Sequence, residues 1–264
     1  MKTTLTVLTA IVFALTCVIG ASAQTKVHFA VGAKYWLASW NTTYVDPITG
    51  NTEELDPATG SMIGLTGSLK VEKFGLNVTF FSGSGWEWTE EIGDFTGYDE
   101  LGNYYEYYGS MSNKEELSRS DLILTVSYNI IPQLSLNAGY KSTAYTDKFS
   151  SSYDYDYDVY DPYGIYQGTY TTAGDNSEEY DINGSGPGGG IGLNLPITKG
   201  KLSFYANLGY FSLGDDLETG DTIIDAGLNY ILGSNWVISG GYRYEAYEEE
   251  IHINGVNIGI SYFK

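Results

Sequence analysis

Ten segments of this chain alternate apolar with small or polar residues at every second position, and the connections between them alternate between short and long. A period of two marks strands whose two faces meet different surroundings. The clearest pair is Leu122-Ile123-Leu124-Thr125-Val126-Ser127-Tyr128-Asn129-Ile130 and, after Pro132, Leu134-Ser135-Leu136-Asn137-Ala138-Gly139-Tyr140-Lys141. One face reads Leu, Leu, Val, Tyr, Ile in the first and Leu, Leu, Ala, Tyr in the second. The pattern predicts strands over about 26–40, 61–72, 75–83, 118–130, 134–146, 180–195, 201–213, 221–232, 236–247 and 251–263. Short turns fall at Glu72–Gly75, Ile131–Gln133, Pro196–Gly200 and Gly233–Asn235. The other side carries long connections at Asn41–Gly60, Ser84–Glu116 and Asp147–Glu179, and shorter ones at Gly214–Gly220 and Tyr247–Glu250. The predicted fold is all-β: an antiparallel up-and-down transmembrane barrel of about ten strands with long acidic extracellular loops.

A soluble β-sandwich shares the alternation, so the faces must decide. Aromatic residues on the apolar face gather near segment ends: Tyr128, Tyr230, Trp236 and Tyr262 by the short turns, Tyr35, Tyr140, Tyr210, Tyr242 and Tyr244 by the long connections. Two girdles around an aliphatic band are what a bilayer requires. The opposite face carries Gly, Ser, Thr and Asn, which suits a wet lumen better than a dry core. Past the N-terminus no apolar run approaches the length of a membrane-spanning helix, and the mean hydropathy is −0.18. The 25 Tyr and 33 Gly fit interfacial belts and close strand approach.

The N-terminus has the form of an export signal. Lys2 precedes the apolar run Leu5–Ile19, and Ala21-Ser22-Ala23 supplies small residues where signal peptidase cuts. Residues 1–23 are therefore expected to leave, with the barrel occupying 24–264 and starting at Gln24. Cys17, the only cysteine, leaves with them, so thiol chemistry and disulfides are not expected in the mature protein.

The net charge of −20 is segregated: 27 of the 33 acidic residues lie in the five predicted extracellular connections, against two basic residues, Lys114 and Lys148. The short-turn side holds Lys26, Lys70, Lys73, Lys199, Lys201 and Lys264. Such segregation independently supports one common side for the long connections. It disfavours nucleic acid as a partner and favours small cations, divalent metals or basic peptides. Within Tyr153-Asp154-Tyr155-Asp156-Tyr157-Asp158, followed by Asp161, the carboxylates Asp154, Asp156, Asp158 and Asp161 are a candidate loop cation site. The segment lacks the glycine turn and terminal glutamate of an EF-hand, and a solvated acidic loop is its plainer reading.

The signal, the alternating strands, the unequal connections and the closing Val256-Asn257-Ile258-Gly259-Ile260-Ser261-Tyr262-Phe263 resemble the superfamily of small bacterial outer-membrane barrels, porin-like and opacity-like, without pointing to a subfamily. That resemblance implies residence in the outer membrane among its lipids and assembly by the barrel machinery, which reads an aromatic at the end of the last strand. Here Tyr262 is in phase with Ile258 and Ile260, and Lys264 follows Phe263.

Some such barrels are enzymes. Omptin proteases, which this chain resembles in strand number and acidity, need paired aspartates and an Asp-His couple at the extracellular rim. Of the two histidines, His28 falls near the periplasmic start of the first strand, and His252 opens the last strand beside Glu248, Glu249 and Glu250. The Asp-x-His arrangement is missing, as are a nucleophile elbow, zinc-type histidine spacing and a phosphate-cradling loop, so neither an enzyme nor a cofactor is expected. Gly184–Gly192, interleaved with a strand, reads as close packing on the lumen side.

Two functions stay open. The leading one is a narrow, porin-like, cation-preferring channel for small solutes, since ten strands lie just above the eight whose interior side chains fill; Trp36 and Tyr205, in the lumen phase, would narrow it. The other is a non-conducting surface barrel that binds through its Tyr- and acid-rich loops. A final expectation concerns register. A turn at Gly233-Ser234-Asn235 pairs Leu232 with Trp236, which sets Tyr230 opposite Ile238, Leu228 opposite Gly240 and Ala226 opposite Tyr242 on the lipid face. The same count places Asp225 opposite Arg243 in the lumen as an ion pair, with Lys34 and Lys141 extending the network.

Overall fold

The computed structural model describes residues 27–45, 52–54, 56–247 and 251–264. The expected signal peptide over 1–23 with Cys17, the expected start at Gln24, and Glu248, Glu249 and Glu250 lie outside the described residues.

The strands are β1 (Val27–Val45), β2 (Thr52–Glu54), β3 (Ala58–Val71), β4 (Phe74–Ile92), β5 (Phe95–Tyr98), β6 (Tyr104–Ile131), β7 (Leu134–Tyr160), β8 (Tyr166–Thr198), β9 (Leu202–Ser212), β10 (Gly220–Leu232), β11 (Trp236–Tyr247) and β12 (Ile251–Phe263). Ten of them form an antiparallel ring in sequence order, and β12 returns to pair with β1 from Ala30↔Phe263 to Thr42↔Ile251. Short β2 and β5 are hydrogen-bonded additions to β1 and β6 outside that ring. Closure matters because a strand edge facing hydrocarbon would leave its amides and carbonyls unpaired.

The alternation fixes which face meets lipid. Leu65, Ile63, Ile258, Val256, Val126 and Leu136 are exposed on the outer surface, Leu65 to 63%. Phe74, Tyr128, Tyr230 and Trp236 are exposed at the short-turn rim, where Trp236 packs edge-on against Tyr262 at 5.3 Å. Tyr35, Tyr140, Tyr210 and Tyr242 form the opposite girdle. An exposed apolar belt between aromatic girdles on a closed barrel is an outer-membrane surface. Leu65→Arg is expected to cost about 2–4 kcal/mol of folding stability in a bilayer, read by denaturant titration, since it sets a charge in that belt.

The structure departs from the sequence reading where the chain leaves the membrane. Ser84–Glu116 and Asp147–Glu179 are not loops: β6, β7 and β8 run for 28, 27 and 33 residues and stay paired almost to their tips. Acidity there suggests a solvated loop, yet the Tyr-Asp repeat keeps the period of two, and tyrosine and threonine favour the pleated backbone. The result is a β-blade standing on one side of the barrel.

The turn at Gly233–Asn235 has the expected register. Leu232 pairs with Trp236, Tyr230 with Ile238, Leu228 with Gly240, Ala226 with Tyr242 and Asp225 with Arg243. Gly233 supplies the left-handed backbone, φ 67°, that this tight turn uses.

Candidate functional site

Three regions carry the chemistry: the middle of the lumen, a chamber on its periplasmic side, and the extracellular blade.

In the middle of the lumen, inward positions of successive strands bring charges together. β6 contributes Arg119 and Asp121, β7 Lys141, β10 Asp221 and Asp225, β11 Arg243 and Glu245, all buried. Glu245 is the hub, bonded to Arg119, to Lys141 and, at 3.0 Å, to Arg243. Arg119 also holds Asp121 at 2.7 Å, and Lys141 holds Asp221 at 2.5 Å. Thr143 donates to Asp121 at 2.5 Å, and Tyr247 donates to Glu245 at 2.5 Å. With Lys34, which lies 3.7 Å from Asp225, four cations face four carboxylates. Burying such a set is costly unless every charge is matched, and here the matching is complete in number.

The expected Asp225–Arg243 bond is not made, although the two residues stand opposite each other. Arg243 instead turns along its own strand to Glu245, two residues away on the same face, at 3.0 and 3.3 Å. Asp225 is held by Lys34, by the Tyr205 hydroxyl at 3.1 Å and by the Asn257 amide at 3.1 Å. Lys141 joins the cluster through Glu245 and Asp221 rather than through Asp225. Sequence reasoning missed Arg119, Asp121, Asp221 and Glu245. The signal was phase: Asp221 shares a face with Asp225, Glu245 shares one with Arg243, and the only two arginines of the chain, Arg119 and Arg243, both face the lumen.

Aromatic side chains close this level. Trp36 and Phe81 meet edge-on at 6.3 Å, with the Arg243 guanidinium 5.0 Å from the Trp36 ring. Above them Trp40 packs against Trp86 at 5.6 Å and Tyr145 at 5.3 Å, and Arg119 lies 5.3 Å from the Tyr145 ring. Every ring strand except β8 contributes a buried side chain here, and β8 contributes the buried glycines Gly184 and Gly186. A Cβ on Gly188 would sit 2.4 Å from the Phe211 ring, so the glycine run makes space for bulk from β9.

On the periplasmic side a chamber of about 360 Å³ opens, lined by polar side chains that include Thr66, Asn77, Thr125, Ser127 and Asn137. Its outer end is Phe81, Asp225 and Arg243, the underside of the closed level.

The blade has unlike faces. Tyr155 and Tyr157 continue the inward phase of β7, and a row of stacked rings crosses four strands: Phe95 and Tyr107 at 4.4 Å, Tyr107 and Tyr157 at 5.2 Å, Tyr157 and Tyr170 at 5.5 Å. A second row nearer the tip joins Tyr98, Tyr104, Tyr160 and Tyr166 at 5.0, 5.9 and 5.7 Å. Asp154, Asp156 and Asp158 share the opposite face of β7. Asp156 and Asp158 accept from the cross-strand hydroxyls of Thr171 and Thr169 at 2.6 and 2.5 Å. Asp161 lies apart in the tip turn, where its carboxylate accepts the amides of Tyr163 and Ile165. Among the described residues no three His, Cys, Asp or Glu side chains gather as a metal would need. Elsewhere on the blade Glu106 accepts from Tyr108 at 2.8 Å, and that bond pushes the Tyr108 pKa up to about 12. The Asp99 pKa is lowered, first by its hydrogen bond with the Asn103 side chain.

The glutamates expected beside His252, Glu248 to Glu250, lie outside the described residues. His28 pairs with Lys70 at the periplasmic rim, and His252 shares a 3.0 Å hydrogen bond with the Tyr244 hydroxyl and stacks on its ring.

No protein-family profile and no curated protein matches the sequence. Among solved structures the chain is similar to the translocator domain of the autotransporter NalP from Neisseria meningitidis, at 12% identity and a TM-score of 0.41, over 99% of this chain and 97% of that one. It is similar to the outer membrane protease OmpT from Escherichia coli at 10% identity and a TM-score of 0.43, covering 92% and 99%. The attachment invasion locus protein Ail of Yersinia pestis aligns at 11% identity and a TM-score of 0.38, over 90% and 99%. The closed ring of ten strands, the lipid-facing belt and the long strands beyond it give the chain the fold of a small outer-membrane β-barrel.

Proposed function

We propose that the chain is a non-conducting surface barrel: a rigid membrane anchor for an acidic, tyrosine-faced β-blade that binds a positively charged partner. The observation that supports this over a narrow cation channel is the dryness of the mid-lumen. Trp36, Met62, Lys141, Asp221, Glu245 and Ile253 are each 0% exposed. Side chains that line a conducting path touch the water within it. The reading gives the barrel no catalytic role and makes the blade and the mouth beneath it, whose segments Ser84–Glu116 and Asp147–Glu179 hold 17 of the 33 acidic residues, the functional surface.

The decisive experiment is planar-bilayer recording of the refolded protein. The expected result is silence, while binding of a lysine-rich peptide to the same preparation weakens as salt rises and the Debye length shrinks from about 10 Å at 0.1 M to about 3 Å at 1 M. Stable, reproducible current steps would overturn the proposal in favour of the channel.

A further inference from the structure

Directly above the closed level, on the extracellular side, the strands enclose a second cavity of about 210 Å³. Its walls are Trp40, Trp88, Tyr145, Tyr247 and Leu117, so it is mainly aromatic and apolar. Two carboxylates, Glu115 and Asp147, also line it. They are diagonal neighbours on β6 and β7, since Asp147 pairs with Leu117 two residues from Glu115.

The charges around this cavity do not balance as they do below it. Arg119, which shares the inward face of β6 with Glu115, is committed to Asp121 and Glu245. Lys114 lies on the other face of β6, bonded to Glu87 and Glu116 at 3.1 and 2.9 Å, and Lys148 is registered opposite Glu116 on that same face. Among the described residues neither Glu115 nor Asp147 has an ion-pair partner, and Asp147 Oδ1 is buried without a hydrogen bond. Burial pushes both carboxyl pKa values up, and the Asp147 charge adds to the effect on Glu115. Two like charges at the rim of an aromatic cup are a standing cost that one cation would relieve, and ring faces attract a cation as well.

We propose that this cavity is a binding site for a small organic ammonium: a primary amine, held by Glu115 and Asp147, on an aromatic or aliphatic body that fills the cup. Volume sets the size of the body. A dry cavity of about 150 Å³ accepts benzene, so about 210 Å³ accommodates one ring and a short aminoalkyl arm. The proposal deepens the binding reading above by naming a ligand class for the barrel mouth, and it rests on that reading for the floor beneath the cup.

The test uses the full mature chain refolded in detergent, with phenethylamine as probe and tryptophan fluorescence and calorimetry as readouts. Saturable binding is expected for phenethylamine, with at least about tenfold weaker binding of 2-phenylethanol and phenylacetate, a gap of about 1.4 kcal/mol. Glu115→Gln with Asp147→Asn should erase that preference, while Glu116→Gln, on the opposite face, should leave it intact. Equal binding of amine and alcohol to the unaltered protein would overturn the proposal even if the double variant failed to fold. So would undiminished amine binding by a double variant that folds. Bilayer current steps would refute the sealed anchor without touching the amine preference, so the two failures are distinguishable.

Discussion

Glu245→Ala is expected to destabilise the folded barrel by about 3–5 kcal/mol, the range for removing one partner from a buried ion pair. Glu245 binds Arg119, Lys141 and Arg243 at once, and Tyr247 donates to it at 2.5 Å. Without it, Arg119 keeps Asp121 and Lys141 keeps Asp221, but Arg243 loses its ion-pair partner among the described residues. One positive charge is then uncompensated on a nearly buried side chain that touches solvent only at the end of the periplasmic chamber. Denaturant titration of the detergent-refolded variant should read the loss directly. Adding Arg243→Met to Glu245→Ala should recover a substantial part of it, because a matched deletion removes the stranded charge together with its partner. A loss below about 1 kcal/mol would mean that solvent screens the cluster, as at a protein surface. The lumen would then be wet, and the channel reading would regain its ground.

How much of the molecule is legible in its sequence differs between the membrane and the region above it. The strand pattern, the ring, the girdles and the β10–β11 register all follow from a period of two, because one slip would move every lipid-facing side chain inward. Asp225 opposite Arg243 was therefore readable, but their partners were not. A register names neighbours across one seam, whereas Lys141 on β7 reaches Asp221 on β10 and Glu245 on β11 across the lumen. Such contacts depend on barrel diameter and on side-chain length, neither of which is local. The blade is hard to read for a different reason: its charge density points to a loop, whereas the alternation of Tyr153 through Asp158, with threonines across the ladder, describes a strand with unlike faces. The cavity at the mouth was beyond reach, since Trp40, Trp88, Tyr145 and Tyr247 come from four strands.

The second large effect belongs to the aromatic closure. Trp36→Ala is expected to cost about 3–5 kcal/mol, the range for emptying a buried aromatic site. Trp36 is 0% exposed, packs edge-on against Phe81 and lies under the Arg243 guanidinium, so the variant loses burial, ring contact and cation–π attraction together. Trp236→Ala is the matched control: that ring is 45% exposed at the lipid girdle and should cost distinctly less. An anchor and a channel differ in how the variant conducts. Phe81 and Arg243, the neighbours of Trp36, form the end of the periplasmic chamber, so truncation lengthens that chamber outward. It stops at Lys141, Glu245 and Arg119, which hold one another above it. Trp36→Ala should therefore be less stable and still silent in a bilayer, whereas a channel constricted at Trp36 would answer the same substitution with larger current steps. A variant that conducts more than its parent would place the gate at the ring and leave the ion cluster as ordinary pore lining.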